Sequence, residues 1–147
     1  MNRAELQVSI VVAAAPELAW RAVTDWDRQD EWMIATKVRT VGGGPGLGTR
    51  LRAVTGAAGL GVVDTMEIIR WEPPRLCQVR HTGRVLRGLG AFEVEPDPGG
   101  ARVCWSESLE LPGGRWATVG WPAARPVATL TLRMALHRFS RWLHDYA

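Results

Sequence analysis

Val127-Ala128-Thr129-Leu130-Thr131-Leu132-Arg133-Met134-Ala135-Leu136-His137-Arg138-Phe139-Ser140-Arg141-Trp142-Leu143 is the stretch on which the fold turns. Its apolar residues Leu132, Ala135, Leu136, Phe139, Trp142 and Leu143 recur at three- and four-residue spacing, so they share one face of a helix. Arg133, His137, Arg141 and His144 fall opposite, and the helix is expected to start after Pro122 or Pro126. The opposite face is not polar from its beginning, because Val127, Leu130 and Met134 sit there. A helix that covers a sheet with one stripe needs no second apolar face. Leu130 and Met134 are therefore expected to meet a ligand, a lid or a partner subunit.

Upstream of this helix the period changes. Glu5–Val12 alternates apolar and polar residues, as a strand with one buried face does. Pro16 opens a helix through Val23, and a second short helix runs from Asp25 or Asp27 as N-cap through Trp32. From Lys37 to Leu111 the chain reads as strands: Lys37–Val41, Thr49–Val54, Val62–Trp71, Leu76–His81, Val85–Glu95 and Arg102–Leu111. Turns punctuate them at 42–48, Gly56–Gly61, Pro73-Pro74, Gly83 and 96–100. Short connections favour antiparallel pairing, and one long helix can cover one face of a curved sheet. The expectation is an α+β fold: a seven-stranded antiparallel sheet curved around the C-terminal helix, with two short helices after the first strand. A single helix cannot fill the concave side of such a sheet, which implies a cavity.

Length and composition agree with one domain spanning 1–147. Apolar residues make up 46% of the 147 and charged residues 22%, which excludes a disordered chain or a fibre. No stretch approaches the roughly 20 apolar residues that cross a bilayer, and Met1-Asn2-Arg3-Ala4-Glu5 leads straight into alternating sequence. A cytoplasmic protein without membrane insertion is expected. Cys77 and Cys104 are too few for a disulfide framework and too far apart for a metal knuckle, and are expected as free buried thiols. The 18 basic residues against 15 acidic leave +3, and Lys37 is the lone lysine. The arginines form no run of the kind that marks a nucleic-acid patch, so no nucleic-acid partner is expected.

The order of elements carries a resemblance, together with several short motifs. Ala15-Pro16-Glu17-Leu18-Ala19-Trp20 follows the first strand, and Thr24-Asp25-Trp26-Asp27-Arg28-Gln29-Asp30-Glu31-Trp32-Met33 follows that. Gly46-Leu47-Gly48-Thr49-Arg50, Trp71-Glu72-Pro73-Pro74-Arg75, Phe92-Glu93-Val94-Glu95-Pro96 and Gly99-Gly100-Ala101-Arg102-Val103 come in the same order. The chain resembles the START-like (SRPBCC) superfamily, and within it the bacterial polyketide cyclase/dehydrase and lipid-transport branch. The resemblance implies a helix-grip fold whose C-terminal helix closes a hydrophobic cavity, in members that bind lipids, close polyketide rings or have no known ligand. It carries no shared catalytic motif. By the same resemblance Trp26, Trp32, Trp116 and Trp121 border the cavity entrance, whereas Trp20 and Trp142 read as core.

No phosphate-binding loop, dinucleotide fingerprint or nucleophile elbow is present. Among His81, His137 and His144 none is seen to have a second ligand at metal spacing on its face with an acidic partner, so neither metal nor cofactor is expected. What remains is strand parity. If Phe92 and Val94 point inward, Arg84, Leu86, Gly88 and Gly90 share their face. Val103, Trp105, Leu109 and Leu111 carry Glu107 in their midst, Met66 and Ile68 share parity with Asp64, and counting from Leu76 brings Gln78 and Arg80 inward. The functional reading is a pocket in which Asp64 or Glu107 acts as acid/base or anchors a ligand, with Arg80 or Arg84 as counter-charge. Trp32, Met66, Trp105, Leu130 and Met134 complete the expected ligand-binding set. The alternative is an internal Arg–carboxylate pair near the sheet edge, or parity broken by a bulge. The expected partner is a hydrophobic small molecule, a polyketide, lipid or aromatic metabolite, taken up by a monomer or homodimer. Turnover, if it occurs, would be proton abstraction next to a carbonyl and aldol-type closure, with Arg84 on the enolate oxygen. The competing reading is a toxin-like or ribosome-associated interaction protein that uses the apolar side of Val127–Met134.

Overall fold

The computed structural model describes residues 3–57, 60–111 and 113–146. Strand β1 (Arg3–Val12) leads to helix α1 (Pro16–Val23) and a 3-10 helix (Trp26–Glu31). Six strands follow: β2 (Thr36–Gly42), β3 (Arg50–Ala57), β4 (Leu60–Glu72), β5 (Leu76–Thr82), β6 (Arg87–Asp97) and β7 (Gly100–Glu110). A short π-helical turn (Trp116–Gly120) then opens helix α2 (Trp121–Leu143). The seven strands form one sheet in the order β1-β7-β6-β5-β4-β3-β2, antiparallel throughout, as short connections require. In the β3–β4 hairpin Gly56 pairs with Gly61, and residues 58–59 of the expected turn lie outside the described residues.

Helix α2 starts earlier than expected and runs through Pro126. Pro122 sits in its first turn, where a missing N–H costs nothing, and Pro126 lies on the exposed side. The stripe read from the sequence is the one that packs. Ala135, Leu136, Phe139 and Leu143 are buried against the sheet, and Leu132 and Trp142 flank them. Arg133, His137, Arg141 and His144 face outward. The C-terminal end of α2 is fastened to the 3-10 helix: Trp142 Nε1 donates to Glu31 Oε1 at 3.1 Å and the Arg28 guanidinium lies 5.2 Å from the Trp142 ring. Tyr146 Oη donates to Asp25 Oδ2 at 2.9 Å.

The concave face holds the core. Val8 and Val12 of β1, Val38 of β2, Leu51 and Ala53 of β3, and Phe92 and Val94 of β6 are buried there with α1 and α2. A register shift between Ile68 and Arg70 inserts a bulge in β4, so that Ile68 and Trp71, three residues apart, both join this core. Trp71 packs on Trp20 at 5.0 Å between ring centroids. At the α2 end, Trp32 is fully buried among Phe92, Trp105 and Phe139. The fold thus fills one end of the concavity with aromatic rings and leaves the other end open beneath the first half of α2.

Candidate functional site

A cavity of about 460 Å³ lies between the sheet and the first half of α2. Its walls are apolar: Leu51, Met66, Val79, Phe92, Trp105 and Leu109 from the strands, Leu86 from the bend between β5 and β6, Trp26 and Met33 from the 3-10 helix region, and Ala128, Leu132 and Ala135 from α2. Small residues on α2 keep that helix from filling the space it covers.

One polar cluster interrupts these walls. His81 on β5 stands between Asp64 on β4 and Glu107 on β7. Its Nδ1 lies 2.9 and 3.0 Å from the two Asp64 oxygens, and its Nε2 lies 2.8 Å from Glu107 Oε2. Trp105 Nε1 donates to Glu107 Oε1 at 3.0 Å. His81 is 6% exposed and Asp64 9%. Burial opposes a charge on the imidazole, but the hydrogen bonds to Asp64 and Glu107 and their negative charges outweigh it and push the His81 pKa up to about 10. At neutral pH the ring is an imidazolium that donates from both nitrogens.

The sheet explains how groups on β5 and β7 meet although β6 separates them. Gly90 on β6 is the direct partner of Glu107, and Gly88 is the partner of His81. A Cβ at Gly90 would stand 2.7 Å from Glu107 Oε2 and 3.0 Å from Oε1. The carboxylate therefore lies across the gap where β6 has no side chain and reaches His81 over it. On the other side, His81 pairs in register with Met66, two residues from Asp64, so the aspartate approaches on the diagonal.

Asp64, Glu107, Met66 and Trp105 all line the cavity. The remaining sequence candidates are placed elsewhere. Arg84 is exposed and lies in the bend between β5 and β6, since β6 begins at Arg87 and strand alternation does not extend back to it. Arg80 is exposed because β5 has the opposite parity: Cys77, Val79 and His81 face the cavity, and Leu76, Gln78 and Arg80 alternate to the other side. Leu130 and Met134 are 57% and 50% exposed and lie outside the lining, although Ala128, Thr131 and Leu132 beside them face inward. Trp32 is one layer deeper than the cavity wall, supporting Phe92 and Trp105 from behind; its Nε1 has no hydrogen-bond partner among the described residues. Trp116 is exposed and Trp121 half-buried, neither of them in the lining, whereas Trp26 is in it.

The counter-charge to the two carboxylates is thus His81, not Arg80 or Arg84; set aside as a metal ligand in the sequence, this histidine has two acidic partners. The sequence of β5 supports either parity. Cys77 and Val79 claim the inner face as well as Leu76 does, and that parity carries His81 inward. Among the described residues no group of three His, Cys, Asp or Glu side chains could hold a metal ion. Cys77 is a free thiol that burial pushes up to about 12, and Cys104 is half-buried rather than buried, accepting from Gln7 Nε2 at 3.2 Å. Because both His81 nitrogens are occupied as donors, the hydrogen-bonding capacity left in this cluster is that of the unused lone pairs of Glu107 and Asp64.

Comparison with known proteins agrees with this architecture. The family model described as polyketide cyclase / dehydrase and lipid transport matches residues 3–143. The uncharacterized protein Rv2574 of Mycobacterium tuberculosis is 30% identical over 148 residues, covering 94% of this chain and 81% of that protein. Among solved structures, TTHA0849 from Thermus thermophilus superposes with a TM-score of 0.79 at 17% identity, covering 97% of this chain and 98% of that one. The Zhui aromatase/cyclase from Streptomyces sp. R1128 gives a TM-score of 0.78 at 14% identity, covering 97% and 94%. The di-domain aromatase/cyclase StfQ of the steffimycin biosynthetic pathway gives 0.80 at 11%, covering 98% of this chain and 51% of that one. At these identities the structural likenesses establish the helix-grip fold, and the match over 3–143 establishes the family. No helix among the described residues is long and apolar enough to cross a membrane. This chain belongs to the polyketide cyclase/dehydrase and lipid transport family.

Proposed function

We propose that this chain binds a hydrophobic small molecule of the polyketide, lipid or aromatic-metabolite class in the cavity beneath α2, its polar end against Glu107 and Asp64. The observation that carries the reading is an apolar cavity of about 460 Å³ whose charged lining groups, among the described residues, are Asp64, His81 and Glu107. Such a volume lies within the range of small-molecule sites, which pair apolar walls with a few convergent polar groups. The polyketide class draws further support from the aromatase/cyclase descriptions of Zhui and StfQ. Binding is the primary role in this reading. Turnover would need Glu107, which lines the cavity, to take a proton from a bound molecule, and Arg84, the donor expected for an enolate oxygen, is outside the cavity.

Native mass spectrometry of the protein as purified tests this. The expected result is a co-purifying apolar molecule that is released on denaturation. Absence of any adduct, together with unchanged tryptophan emission and melting temperature across a panel of polycyclic and long-chain ligands, would refute it. The interaction reading draws on a separate observation, the exposed apolar side chains Trp116, Val119, Val127, Leu130 and Met134. The roomy cavity with its inward charges favours the ligand reading over it.

A further inference from the structure

We propose that the cavity selects ligands by a hydrogen-bond-donating polar end, an ammonium first and a hydroxyl second, and rejects carboxylates. The inference rests on the ligand-binding reading above and adds the chemistry of the ligand's head. Two carboxylates and one imidazolium give the cluster a net charge of −1 in a wall that contains no arginine or lysine among the described residues. In a chain with 18 arginine and lysine residues, that exclusion leaves His81 as the one cationic group among the described residues of the wall to receive an anionic head. His81 is already committed, one nitrogen to Asp64 and the other to Glu107.

Hydroxyl groups on the wall are committed as well. Thr36 Oγ1 donates to the Ile34 carbonyl at 2.8 Å and lies 2.9 Å from Thr55 Oγ1, which leaves Thr55 as the donor between the two. Thr131 Oγ1 donates to the Val127 carbonyl at 2.9 Å. What the cluster offers a ligand is acceptor capacity, the lone pairs of Glu107 and Asp64 not used by His81 and Trp105. A donor placed there forms a charge-assisted hydrogen bond. A carboxylate placed there faces like charge in a low-dielectric wall and finds no free donor in the cluster. The outer surface would act the other way, since the chain's net charge of +3 attracts anions. A preference for cationic heads must therefore come from the cavity itself.

Three probes with the same four-ring body separate the possibilities: 1-pyrenemethylamine, 1-pyrenemethanol and 1-pyrenecarboxylate, titrated at pH 7 and read by energy transfer from tryptophan to pyrene. The amine should bind about ten- to a hundred-fold more tightly than the carboxylate, the scale of one charge-assisted hydrogen bond, with the alcohol between them. Carboxylate affinity equal to or above that of the amine overturns the inference while leaving cavity binding intact. Failure of all three to bind overturns the ligand reading and this inference with it. The variant Glu107→Gln should shrink the amine's advantage about tenfold. Asp64→Asn serves the same purpose if the glutamine variant does not fold, and an undiminished preference in a folded variant also counts against the proposal.

Discussion

Replacing His81 by glutamine keeps a side chain of similar reach and one amide donor but removes the positive charge between Asp64 and Glu107. Both carboxylates stay where the fold holds them, Asp64 at 9% exposure and Glu107 across the Gly90 gap. Removing one partner of a buried ion pair costs about 3–5 kcal/mol. The titration of His81 leads to a similar figure. A pKa raised from 6.5 to about 10 corresponds to a stabilisation of roughly 5 kcal/mol as an upper limit. The sign follows from where the proton sits. The folded state holds it more tightly, so the contribution is complete below about pH 6.5, falls by about 1.4 kcal/mol per pH unit above that, and is gone above about pH 10. Urea denaturation of both proteins at pH 6, 7.5 and 9 measures it. At pH 6 the variant should be about 3–5 kcal/mol less stable, or about 10 °C lower in Tm for a chain of this size. The gap should narrow steadily toward pH 9. A wild-type stability that stays flat from pH 6.5 to 9.5, or a gap independent of pH, would refute the assignment of His81 as a charge held by two carboxylates.

Gly90→Ala places a methyl 2.7 Å from Glu107 Oε2, so the carboxylate must swing off His81; a loss of about 1–3 kcal/mol in urea is expected, and unchanged stability would show that the gap in β6 is not what lets the two meet. Leu136→Ala, in the buried stripe of α2, should cost about 2–5 kcal/mol, whereas Met134→Arg on the exposed side should stay within about 0.5 kcal/mol. Equal losses for those two would mean that α2 is covered on both faces in solution. Cys77, buried and with its thiol pushed up to about 12, should resist alkylation at pH 8 until the chain is unfolded, while half-buried Cys104 reacts first. Peptide mapping after a timed iodoacetamide pulse reads the order.

Local periodicity was enough to establish the element order. The switch from two-residue alternation to helical spacing at Val127–Leu143 distinguishes seven strands from one long helix, and short connections dictate antiparallel pairing. The apolar stripe of α2 and the inward parity of Phe92, Val94, Met66, Asp64, Trp105 and Glu107 were legible for the same reason, because each belongs to an alternation with one clearly apolar side. β5 has no such side. Leu76 and Cys77 are both buried, and alternation alone cannot say which of them faces the helix. That choice belongs to the neighbouring strands, whose register places His81 beside Met66 and Gly88. Arg84 illustrates a second limit, because parity propagates only as far as the strand does and the bend before Arg87 ends it. The cluster itself was beyond any local reading. Asp64, His81 and Glu107 come from three strands, and they touch because a glycine in a fourth leaves a gap one side chain wide. Charge and hydrophobic pattern are written residue by residue, but the distance between a carboxylate and an imidazole two strands away exists only once the sheet has set its register.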